Sequence, residues 1–114
     1  MNLRKIVDAL GLTVIHAGHG LDREIGGGYA GDLLSDVIAS GKKGDLWITI
    51  QVHENIIAVA VLKDLAAIVL AKNSRPLEET LASAREEGVI LLSSSMTTFE
   101  IVTCLAQLGL SGTR

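Results

Sequence analysis

The chain has 114 residues, a formal net charge of −3, 48% hydrophobic residues and 3% aromatic ones, namely Tyr29, Trp47 and Phe99. That length fits one domain, expected over residues 1–110 with 111–114 as a frayed tail, and its core must be built of Ala, Val, Ile and Leu. No run of Lys or Arg offers a duplex nucleic acid or an anionic membrane its footing, and no apolar window reaches the roughly 18 residues of a membrane span, so a cytoplasmic protein without either partner is expected.

The first helix is set by local chemistry. Asn2 is an N-cap residue, Leu3, Ile6, Val7 and Leu10 repeat at helical spacing, and Gly11 suits a left-handed C-cap. A short strand is expected over residues 12–15. A glycine segment follows, and then a helix over 32–39 with Asp32 as its N-cap. Residues 41–45 read as a turn into a strand over 46–52. Alternation there puts Leu46, Ile48, Ile50 and Val52 on an apolar face, and Trp47, Thr49, Gln51 and His53 on a face suited to line a site.

The seven apolar residues 56–62 fit a buried strand or a buried helix, since periodicity does not separate the two in so short a run. Residues 65–71 read as a central strand. Pro76 fits the first turn of a helix running to Glu87 and stopped by Gly88, and 89–92 read as a strand. Thr97-Thr98-Phe99-Glu100 spells a capping box that opens a last helix running to Leu108. Strand and helix patterns alternate from residue 46 onward. They predict an α/β fold, a three-layer α/β/α sandwich with a mainly parallel sheet of about four to five strands.

Gly26-Gly27-Gly28-Tyr29-Ala30-Gly31 meets two nucleotide-binding patterns by spacing alone. The dinucleotide motif works as a turn from a buried strand into a helix, and Leu21-Asp22-Arg23-Glu24-Ile25 is not such a strand. The phosphate loop needs Lys and Ser/Thr after its last glycine, where Asp32 and Leu33 stand. Aspartate would set like charge against phosphate. The segment is therefore expected to be a turn or an edge piece used for main-chain contacts, without phosphoryl chemistry.

Asp22-Arg23, the pair Gly27-Gly28 with Tyr29, and Asp32-Leu33-Leu34-Ser35-Asp36-Val37 resemble the signature of the DRTGG domain family, with Glu24-Ile25-Gly26 between the arginine and the glycine pair. The resemblance continues through Gly44-Asp45-Leu46-Trp47-Ile48-Thr49, Gln51-x-His53-x-Asn55, residues 65–70 and Met96-Thr97-Thr98-Phe99-Glu100. It implies a fold similar to the N-terminal domain of HPr kinase/phosphorylase and to the first domain of the Mur ligases. It also implies a crossover helix over 54–62, and a dimerising regulatory module in place of a catalyst.

In open α/β sheets, ligands gather outside the carboxyl ends of the strands. Those ends are expected to carry His16 and His19, then Gln51 and His53, then Asn73 and Ser74, and last Ser93, Ser94 and Ser95. Small polar groups of this kind suit a nucleotide or another phosphorylated small molecule, and they also bond to their own backbone. Asp22, Arg23, Gly27, Gly28, Asp36 and Thr49 complete the ligand-binding or interface candidates. Arg23 is expected to reach a carboxylate, either locking its segment or bridging subunits, and Asp36 to meet Arg23 or a loop amide. His16, His19 and His53 lack a fourth ligand, so no metal, no cofactor and no catalytic residue is expected. The leading expectation is a non-catalytic, ligand-sensing regulatory domain acting as a homodimer, with a regulatory protein as a further candidate partner. The alternatives are a nucleotide-binding accessory subunit or weak enzyme, and a purely structural dimerisation scaffold.

Overall fold

The structure is a computed structural model that describes residues 1–112. In chain order the elements are α1 (Leu3–Leu10), β1 (Thr13–His16), β2 (Gly27–Ala30), α2 (Leu34–Ser40), β3 (Asp45–Thr49), α3 (Asn55–Lys63), β4 (Ala67–Leu70), α4 (Glu78–Glu87), β5 (Leu91–Ser93) and α5 (Thr98–Gln107). The five strands form one sheet in the order β1-β5-β4-β3-β2. Only β1 runs antiparallel to its neighbour; the other pairings are parallel.

Two apolar clusters place helices on both faces of the sheet. Leu3, Ile6, Ile101 and Leu105 of α1 and α5 pack on Leu46, Ile48 and Val69. Val37, Ile56, Ile57 and Ala84 of α2, α3 and α4 pack on Trp47, Ile68 and Leu91. This is the expected three-layer sandwich. Because both faces are roofed, every residue of β3 is buried, Trp47 included. The expectation of one greasy face and one site-lining face therefore fails for β3, as it does for any parallel strand between two helix layers. The strand also ends at Thr49, leaving Gln51 and His53 in the loop beyond it.

Helices with encoded caps form where their sequences place them. The Asn2 side chain accepts from the Arg4 amide at 2.7 Å, and Gly11 closes α1 in the left-handed region. In α5, Thr97 Oγ1 accepts from the Glu100 amide (3.2 Å) while the Glu100 carboxylate accepts from the Thr97 amide (3.0 Å). Residues 54–62 are resolved in favour of a helix, α3. Two starts shift. α4 begins at Glu78, past Pro76, with no side-chain cap. α2 begins at Leu34 with Leu33 at the cap position, and Asp32 serves elsewhere.

The Thr97 amide bonded to Glu100 holds that carboxyl below the ordinary glutamate range, with the Thr97 hydroxyl adding to the effect. A depressed folded-state pKa stabilises the fold above the unfolded pKa, about 4.3, and the contribution fades as pH falls through the folded value. Glu100→Gln keeps the hydrogen-bonding shape of the box without the charge. Its urea midpoint is expected to lie below wild type at pH 7 and to converge on it as pH falls below about 4.3. A gap that holds constant down to pH 3 would show that the charge contributes nothing.

The glycine segment is an edge strand. Gly26 N donates to Gly44 O (3.0 Å), Gly28 N to Ser111 O (3.1 Å) and Gly31 N to Ile48 O (3.1 Å). Those amides face carbonyls of the sheet and its border, which leaves no cradle for a phosphate. Of the segment expected to fray, Ser111 and Gly112 run beside β2 through a parallel bridge from Gly28 to Gly112, and 113–114 lie outside the described residues.

Candidate functional site

Where β3 leaves the sheet, its end is tied to the chain leaving β2. Buried Thr49 donates its hydroxyl to Asp32 Oδ1 (2.8 Å), and the Ile50 amide donates to the same oxygen (2.9 Å). Thr49 Oγ1 accepts from the Gln51 amide (3.2 Å), and Gln51 Nε2 donates to the Asp32 carbonyl (3.0 Å). This is why Asp32 does not cap α2. Across the end of β3 its carboxylate meets two donors at once, which outweighs a single capping bond worth about 1 kcal/mol.

The ends of β4 and β5 continue this shelf, since Thr49 lies in register with Leu70 and Leu70 with Ser93. Past β4, Lys72 and Asn73 both adopt left-handed backbone, with φ of 58° and 53°. For non-glycine residues this costs about 1–2 kcal/mol each. Main-chain bonds hold the turn against that cost: Lys72 N to Met96 O (2.9 Å) and Asn73 N to Ser94 O (2.8 Å). Lys72 and Arg75 are exposed, in the segment whose main chain meets Ser94 and Met96. Ser94 is buried and its Oγ accepts from the Met96 amide (3.0 Å), whereas Ser93 is half-buried and Ser95 exposed. His53 is exposed, and its Nδ1 accepts from the Asn55 amide at the start of α3 (3.1 Å). Asp36 accepts a hydrogen bond from the Tyr29 hydroxyl, and this bond raises the Tyr29 pKa above its ordinary value. Among the described residues neither Arg23 nor a loop amide meets Asp36; Arg23 lies at the other end of the sheet.

At that amino end, Arg23 Nη2 donates to the carbonyl (2.9 Å) and to Oδ1 (3.1 Å) of Asp64, the left-handed C-cap of α3. Arg4 pairs with Asp22 at 3.1 Å. Of the two roles expected for Arg23, the one visible here is the lock, joining residues 21–25 to the end of α3. A cavity of about 470 Å³ opens beside it, bounded by His19, Arg23, Asp64 and Gly88. His16 and His19 are also here, His16 Nδ1 lying 2.9 Å from Val89 O. They had been expected beside Gln51 and His53. The antiparallel direction of β1 reverses its ends and carries them to the opposite end of the sheet. Among the described residues no group of three or more His, Cys, Asp and Glu side chains is placed to hold a metal ion.

The structure thus gathers Thr49, Gln51, His53, Ser93, Ser94 and Ser95 at one end of the sheet and separates them from Asp22 and Arg23. Gly27 and Gly28 belong to β2 and present main chain only. Lys72, Arg75 and Asp64 were missed as contributors. Asn73 and Asp64 are residue types that tolerate left-handed backbone, which is a faint signal; Lys72 gives none. Chemically, the buried hydroxyls of the shelf are tied within the chain, Thr49 to Asp32 and Ser94 to the Met96 amide, while Asp32, Gln51, His53, Lys72, Arg75 and Ser95 reach solvent. That pattern can hold a ligand, and it sets no nucleophile against a base among the described residues.

The fold is similar to that of the CBS and DRTGG domains of the regulatory region of a Clostridium perfringens pyrophosphatase, solved in complex with its activator diadenosine tetraphosphate. The TM-score is 0.70 at 13% identity, over 92% of this chain and 46% of that one, so this chain spans about half the length of its neighbour. No curated protein sequence matches the chain. No described helix is long and apolar enough to cross a membrane. The DRTGG domain model matches residues 5–108, nearly the whole sequence, and the chain belongs to the DRTGG domain family.

Proposed function

We propose that the chain is a non-catalytic regulatory domain that senses a nucleotide or another phosphorylated small molecule and acts as a homodimer in the cytoplasm. The observation that carries this reading is the shelf at the carboxyl ends of β3, β4 and β5. Its buried members Thr49 and Ser94 and the exposed Asp32 are hydrogen-bonded within the chain, and Lys72 and Arg75 stand exposed in the segment that follows β4. A hydrogen-bonded rim with two exposed cations suits an anionic ligand better than bond-making chemistry. Ser93, Ser95, Gln51 and His53 are the polar contacts assigned to that ligand; Gly27, Gly28 and Asp36 support the neighbouring edge of the sheet, and Asp22 and Arg23 brace its opposite end. The regulatory region of the pyrophosphatase, with its dinucleotide activator, supports the ligand class.

A thermal-shift series with ATP, diadenosine tetraphosphate and unphosphorylated adenosine tests this reading. Phosphorylated ligands at about a hundred times their Kd are expected to stabilise the fold by about 2.7 kcal/mol, and adenosine by far less. The Lys72→Ala/Arg75→Ala variant is expected to abolish most of the shift without lowering the melting temperature of the free protein. A flat series on a dimeric protein would overturn ligand sensing and leave the scaffold alternative.

A further inference from the structure

At the amino end of the parallel strands, two helices end at the cavity of about 470 Å³ beside Arg23. α3 brings Ala60, Val61 and its C-cap Asp64 to the wall, and α4 brings Glu87 and its C-cap Gly88. A helix C-terminus carries partial negative charge, which cations relieve and carboxylates aggravate. α3 has its cation, since Arg23 Nη2 donates to the Asp64 carbonyl at 2.9 Å. α4 ends instead on Glu86 and Glu87. Arg85, the basic residue of that last turn, lies on another face of the helix with Glu78 and Ala82.

Once the charges around the cavity are paired, two groups are left over. Asp22 is matched by Arg4, and Asp64 by Arg23 and Lys43. Glu87 is in no ion pair among the described residues. Half-buried Arg23 uses only Nη2 on Asp64, and its Nε and Nη1 donate to no described residue. A guanidinium holds five N–H donors in a planar fork that fits a carboxylate. The rest of the wall is apolar, apart from the His19 ring lying against Gly88. Leu65 and Ile90 are buried and Val61 is 47% exposed, so the apolar surface runs from the core out to solvent.

We infer that this cavity binds a compact zwitterion, a free α-amino acid with an apolar side chain. Its carboxylate meets the remaining donors of Arg23, its ammonium meets Glu87 at the end of α4, and its side chain lies on Val61, Leu65 and Ile90. Charge balance selects this class. A phosphorylated ligand would set its negative charge against Asp22, Asp64 and Glu87. A simple amine would satisfy Glu87 and leave the Arg23 donors unused, and a simple carboxylate would do the reverse. The volume falls within the range of small-molecule sites, about 300–1,000 Å³. This cavity and the shelf stand at opposite ends of the sheet, and neither assignment depends on the other.

Isothermal titration calorimetry on the full chain with L-leucine, L-valine and L-methionine tests the inference. At least one is expected to bind saturably at millimolar concentration or below. For the tightest binder, the analogue without the ammonium group (4-methylpentanoate for leucine) and the one without the carboxylate (3-methylbutylamine) are each expected to bind at least about tenfold more weakly. Glu87→Gln changes an exposed residue and is expected to fold as wild type does. It should weaken the amino acid about tenfold and leave the affinity of the deaminated analogue unchanged. The Lys72→Ala/Arg75→Ala variant is expected to bind the amino acid as tightly as wild type; loss of binding there would place the amino acid on the shelf and overturn this cavity as its site. An amino acid held equally well by Glu87→Gln, or matched by either analogue, would overturn the zwitterion assignment. No saturable binding of any of the three would overturn the inference while leaving nucleotide sensing at the shelf untouched.

Discussion

Trp47→Ala is expected to remove about 4 kcal/mol of stability, a large share of the 5–15 kcal/mol that holds a domain of this size. Trp47 is fully buried in β3, under the layer formed by α2, α3 and α4. Its indole nitrogen donates to Gly31 O at 2.8 Å, tying the end of the glycine strand to β3. Truncation leaves a cavity with rigid walls, because the neighbours Ile56, Ile68 and Leu70 are themselves fully buried and anchored in helix and strand. Trp47→Phe keeps most of the volume and loses the hydrogen bond, so about 1–2 kcal/mol is expected. Urea unfolding followed by far-ultraviolet circular dichroism measures both, since the alanine variant has no other tryptophan to report by fluorescence. An alanine variant within about 1 kcal/mol of wild type would mean that the ring is not enclosed as described.

The contrast between Trp47 and its surroundings shows which features the sequence carried locally. α1 and α5 were legible because their caps lie within four residues of the groups they satisfy. α3 was not legible from periodicity, since a run apolar on every side has no period; the family resemblance resolved it. The glycines of β2 predict a turn or an edge piece, but its being a strand depends on β3 lying alongside, and β3 is 15 residues further on. Asp32 was misread because its two donors, Thr49 and Ile50, arrive from another strand. The histidines were misplaced for a topological reason, the reversed direction of β1, which no local pattern encodes. Of the candidate site, the polar residues after β3 and β5 came from the sequence. The exposed cations came only with the left-handed turn at Lys72 and Asn73.

Gly18→Ala is expected to cost about 3 kcal/mol, while Gly88→Ala, in the same contact region, costs about 1 kcal/mol. Both glycines have positive φ, 56° and 71°, so an added Cβ meets backbone strain at either site. They differ in what the Cβ would touch. At Gly18 it would lie 2.4 Å from the Gly88 carbonyl oxygen and 2.9 Å from Ile90 Cγ1. That carbonyl belongs to the stop of α4 and cannot withdraw without disturbing the entry into β5. At Gly88 the Cβ would lie 2.6 Å from His19 Nε2, the tip of an exposed side chain that can swing aside. At about 4 °C per kcal/mol for a chain of this length, the two variants should melt about 8 °C apart, with Gly18→Ala the lower. The reverse order would show that residues 17–20 do not rest on the end of α4. The wall they give the cavity beside Arg23 would then be absent in solution.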